Sequence, residues 1–225
     1  MRLPRFLAHT PTWLIWFFDK DWFRLPVDSS VVYLTFDDGP TPEITDFVLA
    51  ELSKVNAKAT FFMLGRQIDA DPVLARRVLA EGHKVANHSY SHMNGWRSPK
   101  QAYLDDVQLG QETIERELGV SPSLFRPPFG KIRRVQSRVL RQKYQLVLMD
   151  ILCGDFDPNR SAEACTETVL THTRAGSIIV YHDSLKAHPR LKESLPVILN
   201  ELTQRGFRFE VLPEPTIIHK QPTAR

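Results

Sequence analysis

Short apolar runs alternate with longer amphipathic stretches along most of this chain, and no other feature constrains its fold as much. The runs fall at 31–36, 59–64, 83–87, 123–126, 146–151, 177–181 and 207–212. Helical patterns fill the spaces between them, at 44–55, 72–80, 102–118, 134–142, 162–173 and 191–204. Thr41-Pro42-Glu43-Ile44 and Asp71-Pro72 put proline early in a helix behind a capping side chain. Gly82, Gly119 and Gly206 stand where helices should stop. Hairpins cannot span connections of helix length, but parallel strands with crossover helices can. A barrel and a doubly wound sheet both fit, and in either the chemistry belongs at the carboxyl ends of the strands.

The chain has 225 residues, 42% of them hydrophobic and 24% charged, which is enough for a full core. It reads as an aromatic arm over 1–28, one catalytic domain over 29–214 and a tail over 215–225. The net charge is +3 and the basic residues are scattered, with only short pairs such as Arg76-Arg77 and Arg133-Arg134. Nucleic-acid binding requires a concentrated basic patch and is not expected. Cys153 and Cys165 form neither a Cys-x-x-Cys pair nor a disulfide framework. The apolar stretch 13–18 is too short to span a bilayer, and no small-residue cleavage site follows it. A cytoplasmic protein is the expectation. An aromatic segment resting on a membrane surface, in association with the cell envelope, is the alternative.

Polar clusters follow five of the expected strands: Asp37-Asp38, then 87–92 with His88 and His92, then 126–130, then Asp150, Asp155 and Asp157, then His182-Asp183. Asp37 and Asp38 lie within Thr35-Phe36-Asp37-Asp38-Gly39-Pro40, which reads either as a turn or as a metal or acid–base site. On one helical turn, His88 and His92 would face the same side. Ser89 stands where a zinc protease would need glutamate. Two imidazoles and a carboxylate from the first strand would make a three-ligand set with open positions, suited to zinc or a similar divalent ion. One aspartate would then bind the cation and the other would act beside it as a base. Cys153 reads as a small apolar filler, and the sequence has no Gly-x-Ser-x-Gly elbow or phosphate-binding glycine loop.

These motifs resemble the polysaccharide deacetylase family, carbohydrate esterase family four. The likeness rests on 35–40, His88-Ser-Tyr-Ser-His92, Arg126-Pro-Pro-Phe-Gly130, Asp155-Phe156 and Val180-Tyr-His182, which cover roughly 30–212 in the family's order. The resemblance implies an α/β fold: a distorted (β/α)7 barrel, related to the TIM barrel, in a single domain. It implies one divalent metal, usually zinc and sometimes cobalt or nickel, on Asp38, His88 and His92. It further implies Asp37 as general base held by Arg126, and His182 as general acid tuned by Asp155. Phe129, with Gly130, would supply a backbone N–H to the oxyanion, and Val180 and Phe156 would line the acyl pocket.

The fourth motif departs from the family. Met149, Leu152 and Phe156 stand where two tryptophans and an aspartate are usual, while Asp155 is retained. The implied activity is removal of N-acetyl groups from a chitin- or peptidoglycan-like amino-sugar glycan. The altered motif leaves acetylxylan or a small non-sugar amide as alternative substrates. A non-catalytic carbohydrate-binding relative would be expected to lack Asp37 or His182, and both are present. A non-haem iron oxygenase shares the two-histidine, one-carboxylate set, but no cosubstrate site is evident.

Overall fold

The structure is a computed structural model described over residues 9–10, 22–26 and 30–215. β1 (Val31–Asp37) is buried along its whole length, as expected of a strand with both faces covered. Its two faces meet different cores. Val32, Leu34 and Phe36 pack with the inner faces of surrounding helices. Val31 and Tyr33 pack with Phe62, Ala86, Leu124, Val147 and Ile178, a cluster made of sheet and loop residues alone. The period of two along β1 therefore separates a barrel interior from a helical outer layer.

After β1 come α1 (Ile44–Lys54), β2 (Ala59–Met63), α2 (Gly65–Ala70), α3 (Pro72–Ala80), β3 (Lys84–Asn87), α4 (Lys100–Leu118) and β4 (Leu124–Phe125). A 3-10 turn at Pro128–Gly130 leads to α5 (Arg134–Leu140), β5 (Gln145–Leu146), β6 (Ile151–Leu152), α6 (Ala162–His172), β7 (Ile178–His182), α7 (His188–Gln204) and β8 (Arg208–Phe209). The strand order is β5-β4-β3-β2-β1-β7-β6, with β8 beside β1, and every named pairing is parallel.

The expected strand at 146–151 is two short strands instead. β5 pairs with β4 on one edge of the sheet and β6 pairs with β7 on the other. Because both belong to the run 145–152, the sheet curls until its two edges meet in one stretch of chain. Counting that run once gives the seven strands expected. The described residues His9, Thr10 and Trp22 line the seam. Trp22 bridges Val147 and His9 bridges Ile151, while the Thr10 hydroxyl donates to Met149 O at 2.7 Å. Residues 13–18, expected to belong to an arm packed on the domain, with membrane contact as the alternative, lie outside the described residues. Among the described residues no helix is long and apolar enough to cross a membrane.

Several local expectations need correction. The six-residue helix α2 was not expected. The strand expected at 207–212 is only Arg208–Phe209. Thr41 does not cap α1 with its side chain; the Asp46 carboxylate does so by accepting from the Glu43 N–H at 3.0 Å. Asp71 caps α3 as expected, accepting from the Leu74 N–H at 2.9 Å.

Candidate active site

The register of the sheet decides which side chains meet. Asp37 stands level with His182 across the β1–β7 pairing and with Phe62 across β1–β2. Asn87 stands level with Met63 on one side and Phe125 on the other. The carboxyl ends of β1, β3, β4 and β7 are thus drawn to one rim, at the mouth of a cleft of about 940 Å³. Asp37, Asp38, His88, His92, Arg126, Phe129, Gly130, Phe156, Val180 and His182 all line it. Asp155 lies buried behind His182. Asp150 is elsewhere: it precedes β6 and accepts from the Ser177 hydroxyl at 2.8 Å, at the opposite end of β7. Its expected place among the rim clusters is corrected accordingly.

His88 and His92 come together without a helix. Residues 88–92 form a loop in which Ser89 (φ 69°) and His92 (φ 64°) are left-handed. Asn87 braces it by accepting from the Ser89 N–H at 2.7 Å. Gly110 of α4 makes room for it, since a Cβ there would lie 2.7 Å from the Ser89 carbonyl carbon. Asp38, also left-handed at φ 82°, turns its carboxylate toward the imidazoles. Its Oδ1 lies 3.2 Å from His92 Nε2 and 3.7 Å from His88 Nε2.

These three residues suit a divalent cation. One ligand atom from each can be chosen so that all lie within 4.8 Å of one another. His88 Nδ1 is bonded to Arg126 O at 2.7 Å, which leaves Nε2 with its lone pair toward the site. Asp38 Oδ1 is buried and has no hydrogen-bond partner. An orphaned buried carboxylate oxygen is costly unless a cation meets it. Burial, reinforced by the neighbouring His88, lowers the His92 pKa to about 4 against the pull of Asp38. A neutral imidazole is the form that binds a metal.

Asp37 is a different kind of group. It is 4% exposed and accepts from Arg126 Nη1 at 2.6 Å. Burial pushes its carboxyl up, but the charges of Arg126, His88 and His182 outweigh this and hold it below the ordinary value. Arg126 is itself buried and fixed at three points. It donates to Asp37, to the Thr35 hydroxyl at 2.8 Å and to Leu148 O at 3.1 Å.

Across the cleft, Asp155 grips His182 twice. Its Oδ2 accepts from the His182 backbone N–H and its Oδ1 bonds Nδ1, each at 2.8 Å. Burial works against a charged imidazole here, but the Asp155 charge and hydrogen bond dominate and raise the pKa to about 9. The ring stands edge-on to Phe156 at 5.1 Å.

A carboxylate without an assigned role sits directly behind this rim. Asp183 is fully buried and accepts from the Thr45 hydroxyl at 2.6 Å. A Cβ on Gly39 would lie 2.0 Å from its Oδ2, so the turn after Asp38 can close only over glycine. Thr35, Gly39 and Asp183 fall within the motifs and polar clusters of the sequence but carry no assigned role there, and Gly110 lies outside all of them; their supporting contacts come from elsewhere in the chain.

The polysaccharide deacetylase family model matches residues 24–146. The chain belongs to the polysaccharide deacetylase family. It is a hydrolase of that family, whose members depend on a metal. A peptidoglycan-N-acetylglucosamine deacetylase of Bacillus cereus is 34% identical over 193 residues, 85% of this chain and 70% of the relative. The peptidoglycan-N-acetylmuramic acid deacetylase PdaC of Bacillus subtilis is 31% identical, over 88% of this chain and 41% of its own length. The crystal structure of the Bc1960 peptidoglycan N-acetylglucosamine deacetylase, in complex with an N-hydroxybenzamide compound, superposes with a TM-score of 0.83. It is 32% identical, with 91% of this chain and 95% of that one covered. Cys153 and Cys165 are free and buried, and burial pushes the Cys153 thiol well up, consistent with a core filler.

Proposed function

We propose that this polysaccharide deacetylase removes N-acetyl groups from the amino sugars of a peptidoglycan-type glycan, with release of acetate. One observation carries the reading. A three-ligand metal set, an ionised carboxylate pinned by arginine and a carboxylate-held imidazole line a single cleft. The named activities of the relatives support the choice of substrate.

Asp38, His88 and His92 would hold the metal, and two imidazoles with one carboxylate suit a divalent ion, zinc as in most relatives, with cobalt or nickel as alternatives. A divalent ion there supplies Lewis acidity toward the N-acetyl carbonyl and makes a nearby water more acidic. Asp37 takes a proton from the attacking water, and Arg126 keeps that carboxylate ionised and aimed. The Phe129 N–H is the chain's own donor to the developing oxyanion. His182, held at Nδ1 by Asp155, gives a proton from Nε2 to the departing amine, which leaves poorly without one. Val180, Phe156, Met149 and Leu152 enclose the acyl methyl.

Acetate release from peptidoglycan fragments, chitooligosaccharides and acetylxylan tests the proposal, before and after chelation and zinc restoration. Release from the N-acetyl glycans, lost on chelation and regained with metal, is the expected result. Release from acetylxylan alone would overturn the amide reading.

A further inference from the structure

We infer that Trp96, Phe129 and Lys131 form a platform for a second sugar ring of the substrate glycan, one that bears a carboxylate. This rests on the glycan reading above, but not on the assigned roles of Asp37 or His182.

Trp96 is 57% exposed, yet it is firmly held. Its Nε1–H donates to Ile132 O at 3.2 Å, and its backbone N–H donates to Asn94 Oδ1 at 3.0 Å. The Arg133 guanidinium donates to its carbonyl through Nε at 3.2 Å and Nη2 at 2.5 Å. Buried Gln136 ties the preceding residue down by donating to Gly95 O at 3.0 Å. These bonds turn the polar edge of the indole inward and leave apolar ring surface to solvent. An exposed tryptophan on a loose loop needs no explanation. One fixed by several hydrogen bonds is already ordered before anything binds, so ordering it costs little at the moment of association.

Phe129 lies beside the reaction centre. It is also 57% exposed, and its ring centroid lies 4.4 Å from that of His92. Its left-handed backbone (φ 61°) presents the ring at the cleft rim. Lys131 Nζ lies over the Trp96 ring, 5.5 Å from its centroid. Phe129 and Lys131 both line the cleft. Pyranose rings have apolar C–H faces that stack on aromatic planes, and an ordered exposed tryptophan next to the cleft residue Lys131 suits such a ring.

The charge selects the kind of sugar. Lys131 has no carboxylate partner among the described residues. Arg66 and Lys186 line the same cleft and likewise pair with no carboxylate there. Cations left open around a polymer-binding cleft favour an anionic polymer over a neutral one. A glycan of amino sugars alternating with carboxylate-bearing sugars meets both requirements: its ring stacks and its carboxylate reaches the ammonium.

The test uses the metal-loaded full chain with three substrates: a carboxylate-bearing peptidoglycan oligomer, a neutral N-acetylglucosamine oligomer of equal length, and a small aryl acetate. Trp96→Ala should raise KM on both oligomers about three- to tenfold, leaving kcat and aryl acetate hydrolysis unchanged. Trp96→Phe should recover most of the loss. Lys131→Gln should raise KM on the carboxylate-bearing oligomer alone, with a smaller effect at high salt. Calorimetric titration of the same oligomers into each variant reads the platform independently of turnover. If the wild-type protein releases acetate from neither oligomer, the functional proposal fails while the binding comparison still tests the platform. Equal KM and affinity in Trp96→Ala and wild type, or the same loss on all three substrates, would overturn the inference.

Discussion

Replacing Asp155 by asparagine isolates the role of one buried carboxylate. In the native site His182 is pulled in opposite directions. Burial favours the neutral ring, while the charge of Asp155 and its bond to Nδ1 favour the protonated one. The carboxylate wins, raising the pKa from 6.5 to about 9. That difference corresponds to about 3 kcal/mol in favour of the imidazolium. Asparagine can keep one contact at 2.8 Å but not the charge. Burial is then opposed only by the weaker pulls of Asp38 and Asp37, and the pKa should fall well below 9. A bound cation adds positive charge nearby and lowers both values, so the separation between wild type and variant is the quantity to measure. For an N-acetyl substrate, the alkaline limb of the pH–rate profile should move to lower pH by about two units in Asp155→Asn. The sign for stability follows from the same shift. A folded pKa above the unfolded one stabilises the fold fully below pH 6.5, and this contribution fades as pH rises through 9. Denaturant titrations should therefore show wild type losing more stability than the variant between pH 6 and 9.5, to an upper bound of about 3 kcal/mol. If the alkaline limb stays in place, Asp155 does not set the protonation of His182, and the assignment of His182 as the acid loses its support.

The adjacent aspartates should separate cleanly. Asp37→Asn should retain metal and lose most turnover, whereas Asp38→Asn should lose metal; equal metal content by elemental analysis would show the roles wrongly divided. Arg126→Gln removes the cation that depresses Asp37, so the acid limb should move to higher pH. It also leaves a buried carboxylate unpaired, at a cost of about 3–5 kcal/mol in denaturant unfolding. Gly39→Ala drives a methyl into Asp183 and should cost about 1–3 kcal/mol while weakening metal affinity. Adding Asp183→Ala should recover part of that stability, and no recovery would mean that the clash lies elsewhere.

The site was more legible in the sequence than the strand boundaries were. Asp37, Asp38, His88, His92 and Arg126 lie in short motifs whose spacing survives folding, so their meeting could be anticipated. The route by which His88 meets His92 could not, because two left-handed residues replace the helical turn that an i, i+4 spacing suggests. The run 146–151 is apolar enough for one strand, but periodicity says nothing about which neighbour each half will bond. Helix α2 was hidden because six residues opening on glycine give too little pattern. Thr35 shows the same limit at the site. Its hydroxyl reads as ordinary strand polarity until Arg126, 91 residues away, is seen to donate to it.

The seam between β5 and β6 has a consequence for how such an enzyme diversifies. Strands locked into a ladder on both sides resist backbone adjustment, because each shift breaks pairings with two neighbours. Leu148 and Met149 lie where the run 145–152 leaves one ladder and has not yet joined the next. The N-terminal segment holds them instead: the Leu148 N–H donates to Trp22 O at 2.7 Å, and Met149 O accepts from Thr10. Leu148 O anchors Arg126, whereas the Met149 side chain faces the cleft. Selection can therefore reshape this side of the cleft by exchanging Met149 together with the Thr10 and Trp22 contacts that support it. The paired strands bearing Asp37 and His182 need not move, so substrate range can drift on one side of the cleft while the reaction stays fixed on the other.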